Sequence, residues 1–186
     1  MALTLISTQT ASSSSSIDFT SGIDSTYNEY LFTITNYKPV TDEQKLGWQT
    51  DTGTATSYAQ TITSTAWSSG ADQADSWTNT AYESNNDQDQ GTALNPVSYS
   101  GESNSNADMT ASGELRLFDP SNGTYVKHFM GSTNVKYTNN GTDAQTWCIA
   151  LHTAGYVNTT TALTRVRFAA LSGNIYTGTF TLYGVG

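Results

Sequence analysis

Short segments in which apolar and polar residues alternate recur along this chain and constrain its fold more than any other feature. Residues 27–37 place Tyr30, Phe32 and Ile34 on one face with a period of two, and Pro39 cannot continue the ladder. Such alternation predicts β-strands. Comparable segments lie at residues 45–50, 57–64, 113–118, 125–130, 145–152, 163–171 and 178–185.

Composition supports an all-β fold. The chain has 32 Thr and 22 Ser among 186 residues, and its charged fraction is only 12%. A typical globular chain has about 25% charged residues, so a long solvent-exposed helix is not expected here. Turn signals at 119–124 and 139–141 separate strands at intervals that suit a sandwich. We therefore predict a two-sheet antiparallel β-sandwich or jelly roll with roughly eight strands.

The domain organisation follows from where the alternation stops. Residues 17–186 are predicted to form a single β-sandwich domain. Residues 1–16 end in a run of serines, which have little apolar surface to offset the entropy of ordering, and they are predicted to be a flexible N-terminal arm. Residues 65–111 are rich in Gly, Ser, Asn, Asp and Gln, and they predict a long central loop inserted in the sandwich.

The charge of the chain excludes several classes of partner. Sixteen acidic residues against seven Lys and Arg give a formal charge of −9. This charge repels phosphate backbones and anionic lipids, so neither nucleic acid nor a membrane is an expected partner. The N-terminus has no positively charged segment followed by an apolar run, so we expect a protein made in the cytoplasm without a signal peptide.

Residues capable of catalysis or metal binding are scarce. The only imidazoles are His128 and His152, and the only thiol is Cys148. All three lie in predicted strands, which favours packed or surface histidines and a small buried cysteine over a nucleophilic dyad. One cysteine makes no internal disulfide, and with two histidines it makes no zinc site. We predict no enzyme activity and no cofactor.

The acidic residues between Lys45 and Arg116 form another candidate site. Residues 85–91 space side-chain oxygens as calcium loops do, but they fail the EF-hand pattern, because Gln90 stands where glycine is expected. We interpret this segment as a solvated loop. The nine acids of the wider stretch, which contains no Lys or Arg, are interpreted as a solvated outer face.

Three aromatic residues of the predicted central loop offer a binding alternative. Trp67, Trp77 and Tyr82 present flat apolar faces that could stack on the C–H faces of sugar rings. Packing in the core or between subunits is the favoured explanation of such residues. They remain candidates for glycan stacking.

Two blocks of sequence carry a resemblance to a known class of protein. Residues 17–37, Ile-Asp-Phe-Thr-Ser-Gly-Ile-Asp-Ser-Thr-Tyr-Asn-Glu-Tyr-Leu-Phe-Thr-Ile-Thr-Asn-Tyr, and the following 38–42 resemble the N-terminal block of small virion proteins of tailed bacteriophages, cyanophages in particular. The C-terminal segments 165–168, 172–175 and 178–185 resemble the closing strands of these proteins, which end in a Leu-Tyr-Gly-Val type tail. The resemblance covers about a third of the chain.

The resemblance implies a structural virion protein with a β-sandwich fold and transfers no catalytic, cofactor or metal residue. It implies a capsid decoration or cement protein on the outer surface of the major capsid shell, with the major capsid protein as partner. Decoration proteins often occupy threefold positions, so a homotrimer is expected. The alternative is a tail or fibre-associated module that binds a host surface glycan.

The N-terminal arm is the candidate for anchoring on the capsid. Leu3, Leu5 and Ile6 are apolar, and the residues after them are polar and uncharged. Such a segment can add an edge strand to a partner, with main-chain hydrogen bonds supplying affinity.

Overall fold

The structure, a computed structural model, describes residues 2–74, 76–100, 108–138 and 146–186. Within these ranges the chain forms strands and no helix, which confirms the all-β prediction. It therefore has no helix suited to spanning a membrane in the part described. The strands are β1 (Leu3–Ser14), β2 (Ile17–Phe19), β3 (Glu29–Pro39), β4 (Leu46–Thr52), β5 (Ile62–Asp72), β6 (Thr78–Tyr82), β7 (Asn95–Pro96), β8 (Ala111–Phe118), β9 (Lys127–Thr138), β10 (Thr146–Val157), β11 (Leu163–Ala170) and β12 (Ile175–Val185).

The strands form two antiparallel sheets that pack as a sandwich. The larger sheet has eight strands in the order β1-β12-β3-β8-β9-β10-β5-β6, and the smaller has four in the order β2-β11-β4-β7. The predicted sandwich is thus confirmed. The two sheets together contain twelve strands among the described residues, divided eight and four, whereas a jelly roll has eight strands in total.

Aromatic side chains fill the space between the sheets. Trp48 of the smaller sheet meets Phe129 of the larger one edge-on, with ring centroids 4.8 Å apart. Phe32 packs in the same way against Phe19 at 5.3 Å and Phe168 at 5.6 Å. Burying each such ring stabilises the fold by about 1.5–3 kcal/mol. The alternating residues that predicted β3 therefore supply the core.

The predicted N-terminal arm is wrong. Residues 3–14 form β1, which pairs with β12 along its whole length at one edge of the larger sheet. Ala2 and Gly186 exchange two backbone hydrogen bonds of 2.9 and 3.1 Å, and Ala11 is buried. The C-terminal strand supplies the ladder that orders this segment, so its few apolar residues are sufficient.

The predicted central loop over 65–111 is wrong where strands form within it. It contains most of β5, all of β6 and β7, and the first residue of β8. Asp72 holds the β5–β6 turn by accepting hydrogen bonds from the backbone N–H groups of Ser76 at 2.7 Å and Trp77 at 3.0 Å. Polar composition hid these strands, because small hydroxyl and amide side chains line both faces of β6.

The turn signals had different outcomes. The one at 119–124 connects β8 to β9, which pair as a hairpin. Asn122 Oδ1 fixes this turn by accepting from the N–H groups of Thr124 at 2.7 Å and Tyr125 at 2.9 Å. The turn predicted at 139–141 lies outside the described residues.

Candidate functional site

The outer face of the four-stranded sheet, hereafter the closed face, is covered by the loop of residues 53–60. Arg167 on β11 pairs with Asp18 on β2 through two hydrogen bonds of 2.7 and 3.0 Å. The buried ring of Tyr58 lies over this guanidinium, 4.0 Å from the ring centroid to Cζ. The loop therefore covers the part of this face around Arg167.

Asp51 on β4 organises the same loop. Its side chain is 1% exposed, so the expectation of a solvated acid is wrong at this position. The carboxylate accepts hydrogen bonds from the N–H groups of Thr52 and Tyr58, and from the Ser57 and Gln60 side chains, at 2.8–3.2 Å. Burial alone would raise the pKa of Asp51, but these hydrogen bonds hold the pKa below its ordinary value.

The outer face of the eight-stranded sheet, hereafter the open face, has no such covering segment among the described residues. Side chains that alternate with the core point outward from its strands. Large apolar side chains stand exposed on it. Met130 of β9 is 57% exposed and Trp67 of β5 is 51% exposed.

A groove of about 260 Å³ crosses the open face between β8, β9, β10 and β5. His152 is paired across the strands with Trp67 on one side and Ser132 on the other. Arg116 borders the groove and forms ion pairs with the carboxylates of Glu29 at 2.6 Å and Glu114 at 2.9 Å. The groove thus combines an aromatic wall, an apolar floor and a polar rim. Its lining comprises Thr65, Trp67, Glu114, Arg116, Met130, Gly131, Ser132, His152, Thr153 and Ala154.

The structure brings together two of the three aromatic residues predicted to stack on a glycan. Trp67 and Tyr82 are cross-strand partners on β5 and β6, with ring centroids 5.4 Å apart. The Tyr82 hydroxyl donates to Asp87, and this hydrogen bond raises the pKa of Tyr82. Trp77 lies on the opposite side of the sheet, where it packs against Trp147 with centroids 5.5 Å apart.

The three residues considered for nucleophilic chemistry do not form a site. Cys148 is exposed, so its predicted burial is wrong, and its Sγ accepts a hydrogen bond of 3.0 Å from Asn134 Nδ2. His152 is four residues further along the same strand, about 13 Å away at the rise of an extended chain. His128 contacts Tyr156 at a centroid distance of 6.2 Å. None of these imidazoles reaches the thiol.

The segment 85–91 turns amide side chains into the protein. Asn86 is buried. Its side chain accepts a hydrogen bond of 2.7 Å from Lys45 Nζ and donates one of 3.2 Å to the Ser98 carbonyl. Gln88, also buried, donates 2.7 Å to the Ala93 carbonyl. The predicted solvated loop is thus wrong for these two residues. In the described ranges, no three His, Cys, Asp or Glu side chains cluster as metal ligands.

The three residues predicted to anchor the arm separate at a β-bulge in β1. Leu3 and Leu5 are 55% and 61% exposed on the side of the open face. Ile6, where the pairing with β12 shifts, packs against the core. Only the two leucines therefore remain available to a partner. The outer edge of β1 carries no other strand among the described residues.

Comparisons of the chain with family models, curated proteins and solved structures found no match. The geometry itself must therefore indicate what each surface can do. Sequence reasoning missed the groove, because its residues come from four strands and β5 is far in the chain from the consecutive strands β8, β9 and β10. The only available signal was that Met130 and His152 alternate with the core residues of their strands and therefore point outward. This alternation does not reveal which residues lie side by side on the sheet.

Proposed function

We propose that this chain is a structural protein of a tailed bacteriophage virion, a capsid decoration or cement protein that binds the outer surface of the major capsid shell. The resemblance of residues 17–42 and of the C-terminal strands supports this assignment. The observation that carries it is the unprotected edge of β1. Through that edge the protein pairs with a strand of the major capsid protein and stabilises the shell.

The edge of β1 lacks most of the features that usually prevent strand pairing. Natural edge strands are kept short or carry charged residues, prolines and bulges. β1 spans 12 residues, Leu-Thr-Leu-Ile-Ser-Thr-Gln-Thr-Ala-Ser-Ser-Ser, with no charge and no proline. Its one bulge, near Ile6, leaves the stretch from Ser7 to Ser12 regularly paired with β12. Such an edge is suited to accept a strand from another protein.

The free backbone groups of this edge can be assigned from the ladder. Hydrogen-bonded and non-hydrogen-bonded pairs alternate between antiparallel strands. Ala2 and Gly186 form a hydrogen-bonded pair. Counted along β12 from Gly186, Thr179 takes a non-hydrogen-bonded position opposite Thr10. The Thr10 N–H therefore points away from β12 and is free to pair with a capsid strand.

The expected homotrimer is part of the same proposal. Edge pairing gives main-chain affinity, and Leu3 and Leu5 add exposed apolar surface beside the edge. Decoration around a threefold axis places three such edges on neighbouring capsid subunits. Sedimentation equilibrium of the purified protein measures the oligomeric state, and a 20.0 kDa species at tens of micromolar contradicts the trimer.

A single substitution tests the edge without removing the strand. Thr10→Pro deletes one outward N–H, and proline is tolerated where an edge strand's N–H faces solvent. Thr10→Val retains the N–H and is the matched control. We expect the proline variant to lose cosedimentation with capsids that lack this protein, and the valine variant to bind like the parent. Equal binding by both variants contradicts the proposed edge.

A second candidate function is supported by a different observation. The exposed pair Trp67 and Tyr82 beside the groove favours a tail or fibre-associated protein that binds a host surface glycan. Labelling virions with an antibody to this protein, followed by electron microscopy, separates the candidates. Label on the head supports decoration, and label confined to the tail supports the glycan-binding alternative.

A further inference from the structure

We propose that the groove of the open face binds a neutral saccharide of one or two sugar units, with the Trp67 ring as its stacking platform. This inference names the ligand class for the second candidate function and rests on it. It does not depend on the pairing of β1 with a capsid strand.

The Trp67 ring has the exposure and support that a stacking platform requires. It is half exposed, and the edge-to-face contact with Tyr82 restricts its orientation at an interplanar angle of 70°. Asp87 accepts from the Tyr82 hydroxyl and so holds the second ring in place. A ring fixed in this way loses little conformational entropy when a sugar stacks on it.

Hydrogen-bonding side chains lie beside the platform. His152 lies directly across from Trp67, and Ser132 follows on the next strand. A neutral imidazole has one donor and one acceptor nitrogen, and a serine hydroxyl serves as both. Sugar hydroxyls also donate and accept. The exposed Met130 side chain supplies apolar surface beside these polar groups.

Charge decides against an anionic sugar. Among the described residues that line the groove, Arg116 is the only Lys or Arg, and it is already bonded to the carboxylates of Glu29 and Glu114. These three groups sum to one negative charge, and Asp87 adds another beside Tyr82. The chain as a whole has a formal charge of −9. Uronates, sialylated glycans and phosphorylated sugars are therefore repelled, while a neutral sugar encounters no such penalty.

The dimensions of the groove set the size of the ligand. Its volume of about 260 Å³ falls just below the range of about 300–1,000 Å³ found for sites of drug-sized ligands. One or two pyranose rings suit this volume. A longer glycan extends over the open face beyond the groove.

Titration by two-dimensional ¹H–¹⁵N NMR tests the site with defined probes. The probes are hexamers of α-linked glucose, β-linked glucose and N-acetylglucosamine, with hexagalacturonate as the anionic comparison. We expect a neutral hexamer at about 10 mM to shift the Trp67 indole resonance, since shallow sugar sites bind in the millimolar range. Trp67→Ala should weaken this binding about tenfold or more, and Trp67→Phe should weaken it less.

Tyr125→Ala is the control, because Tyr125 is exposed but does not line the groove. It should bind like the parent protein. Shifts that persist in Trp67→Ala overturn the groove as the site but leave glycan binding intact. No shift with any of the three neutral hexamers overturns both the site and the glycan function. Tighter binding of hexagalacturonate overturns the neutral-sugar assignment.

Discussion

The closed and open faces of the sandwich differ in how far their side chains are covered. On the closed face, Arg167 is hydrogen-bonded to Asp18, and Asp51 accepts a hydrogen bond from Tyr58 in the covering loop. On the open face, Trp67 and Met130 remain half exposed with no loop over them. The difference indicates that the covered part of one outer face serves the stability of the fold, whereas the other face remains accessible.

The largest expected effect on stability comes from Asp51. Asp51→Ala leaves the N–H groups of Thr52 and Tyr58 and two side-chain donors without their acceptor in a buried site. We expect a loss of about 3 kcal/mol in the free energy of unfolding, measured by urea denaturation. Asp87→Ala, at the open face, is the control and should cost roughly 0.5 kcal/mol or less. Equal losses would remove the distinction between the faces.

The pH dependence of stability tests the same carboxylate by another route. Because the pKa of Asp51 is lower in the folded state than in the unfolded chain, its stabilising contribution is complete above about pH 4. It is lost as the pH falls through the lowered folded-state pKa. Asp51→Asn removes this contribution. As the pH is lowered below 5, the free energy of unfolding of the variant should therefore fall less than that of the parent. Parallel pH profiles for the two proteins contradict the assignment.

The ion pair under the covering loop is expected to contribute less. Arg167→Met removes the bonds to Asp18 and the contact with the Tyr58 ring, but both charged side chains are partly exposed. We expect a loss of about 1 kcal/mol. A double-mutant cycle with Asp18→Asn isolates the ion pair, and a coupling energy near zero would assign the effect of Arg167 to packing alone.

The smallest expected effect on stability is at the groove. Trp67→Ala removes a half-exposed ring that lies outside the core between the sheets, so the free energy of unfolding measured with urea should change by roughly 0.5 kcal/mol or less. A loss comparable to that of Asp51→Ala would show that Trp67 is a structural residue. The exposure of Trp67 would then no longer support a binding role for the open face.

The sequence predicted those parts of the fold in which local pattern and packing agree. Tyr30, Phe32 and Ile34 alternate in the sequence and are buried in β3. β1 and β6 were missed because their order depends on partner strands, β12 from the far end of the chain and β5 across a tight turn. Intrinsic propensity does not contain such long-range pairing.

The candidate sites were predicted less completely, for related reasons. Trp67 and Tyr82 were identified by their aromatic character, but their contact and the separate position of Trp77 depend on strand register. Cys148 is predicted to be buried because free cysteines are commonly buried. In β10, however, it alternates with the core residues and therefore points to the open face. The burial of Asp51 depends on a loop that folds back over β4.

The central claim is that the unprotected edge of β1 joins this protein to a capsid. A cryo-electron microscopy reconstruction of the phage particle tests it most directly. We predict density for this chain on the outer surface of the head, with a strand of the major capsid protein hydrogen-bonded along Ser7 to Ser12 and the closed face away from the interface. Density for the chain only in the tail, or on the head with β1 facing solvent, would contradict the claim.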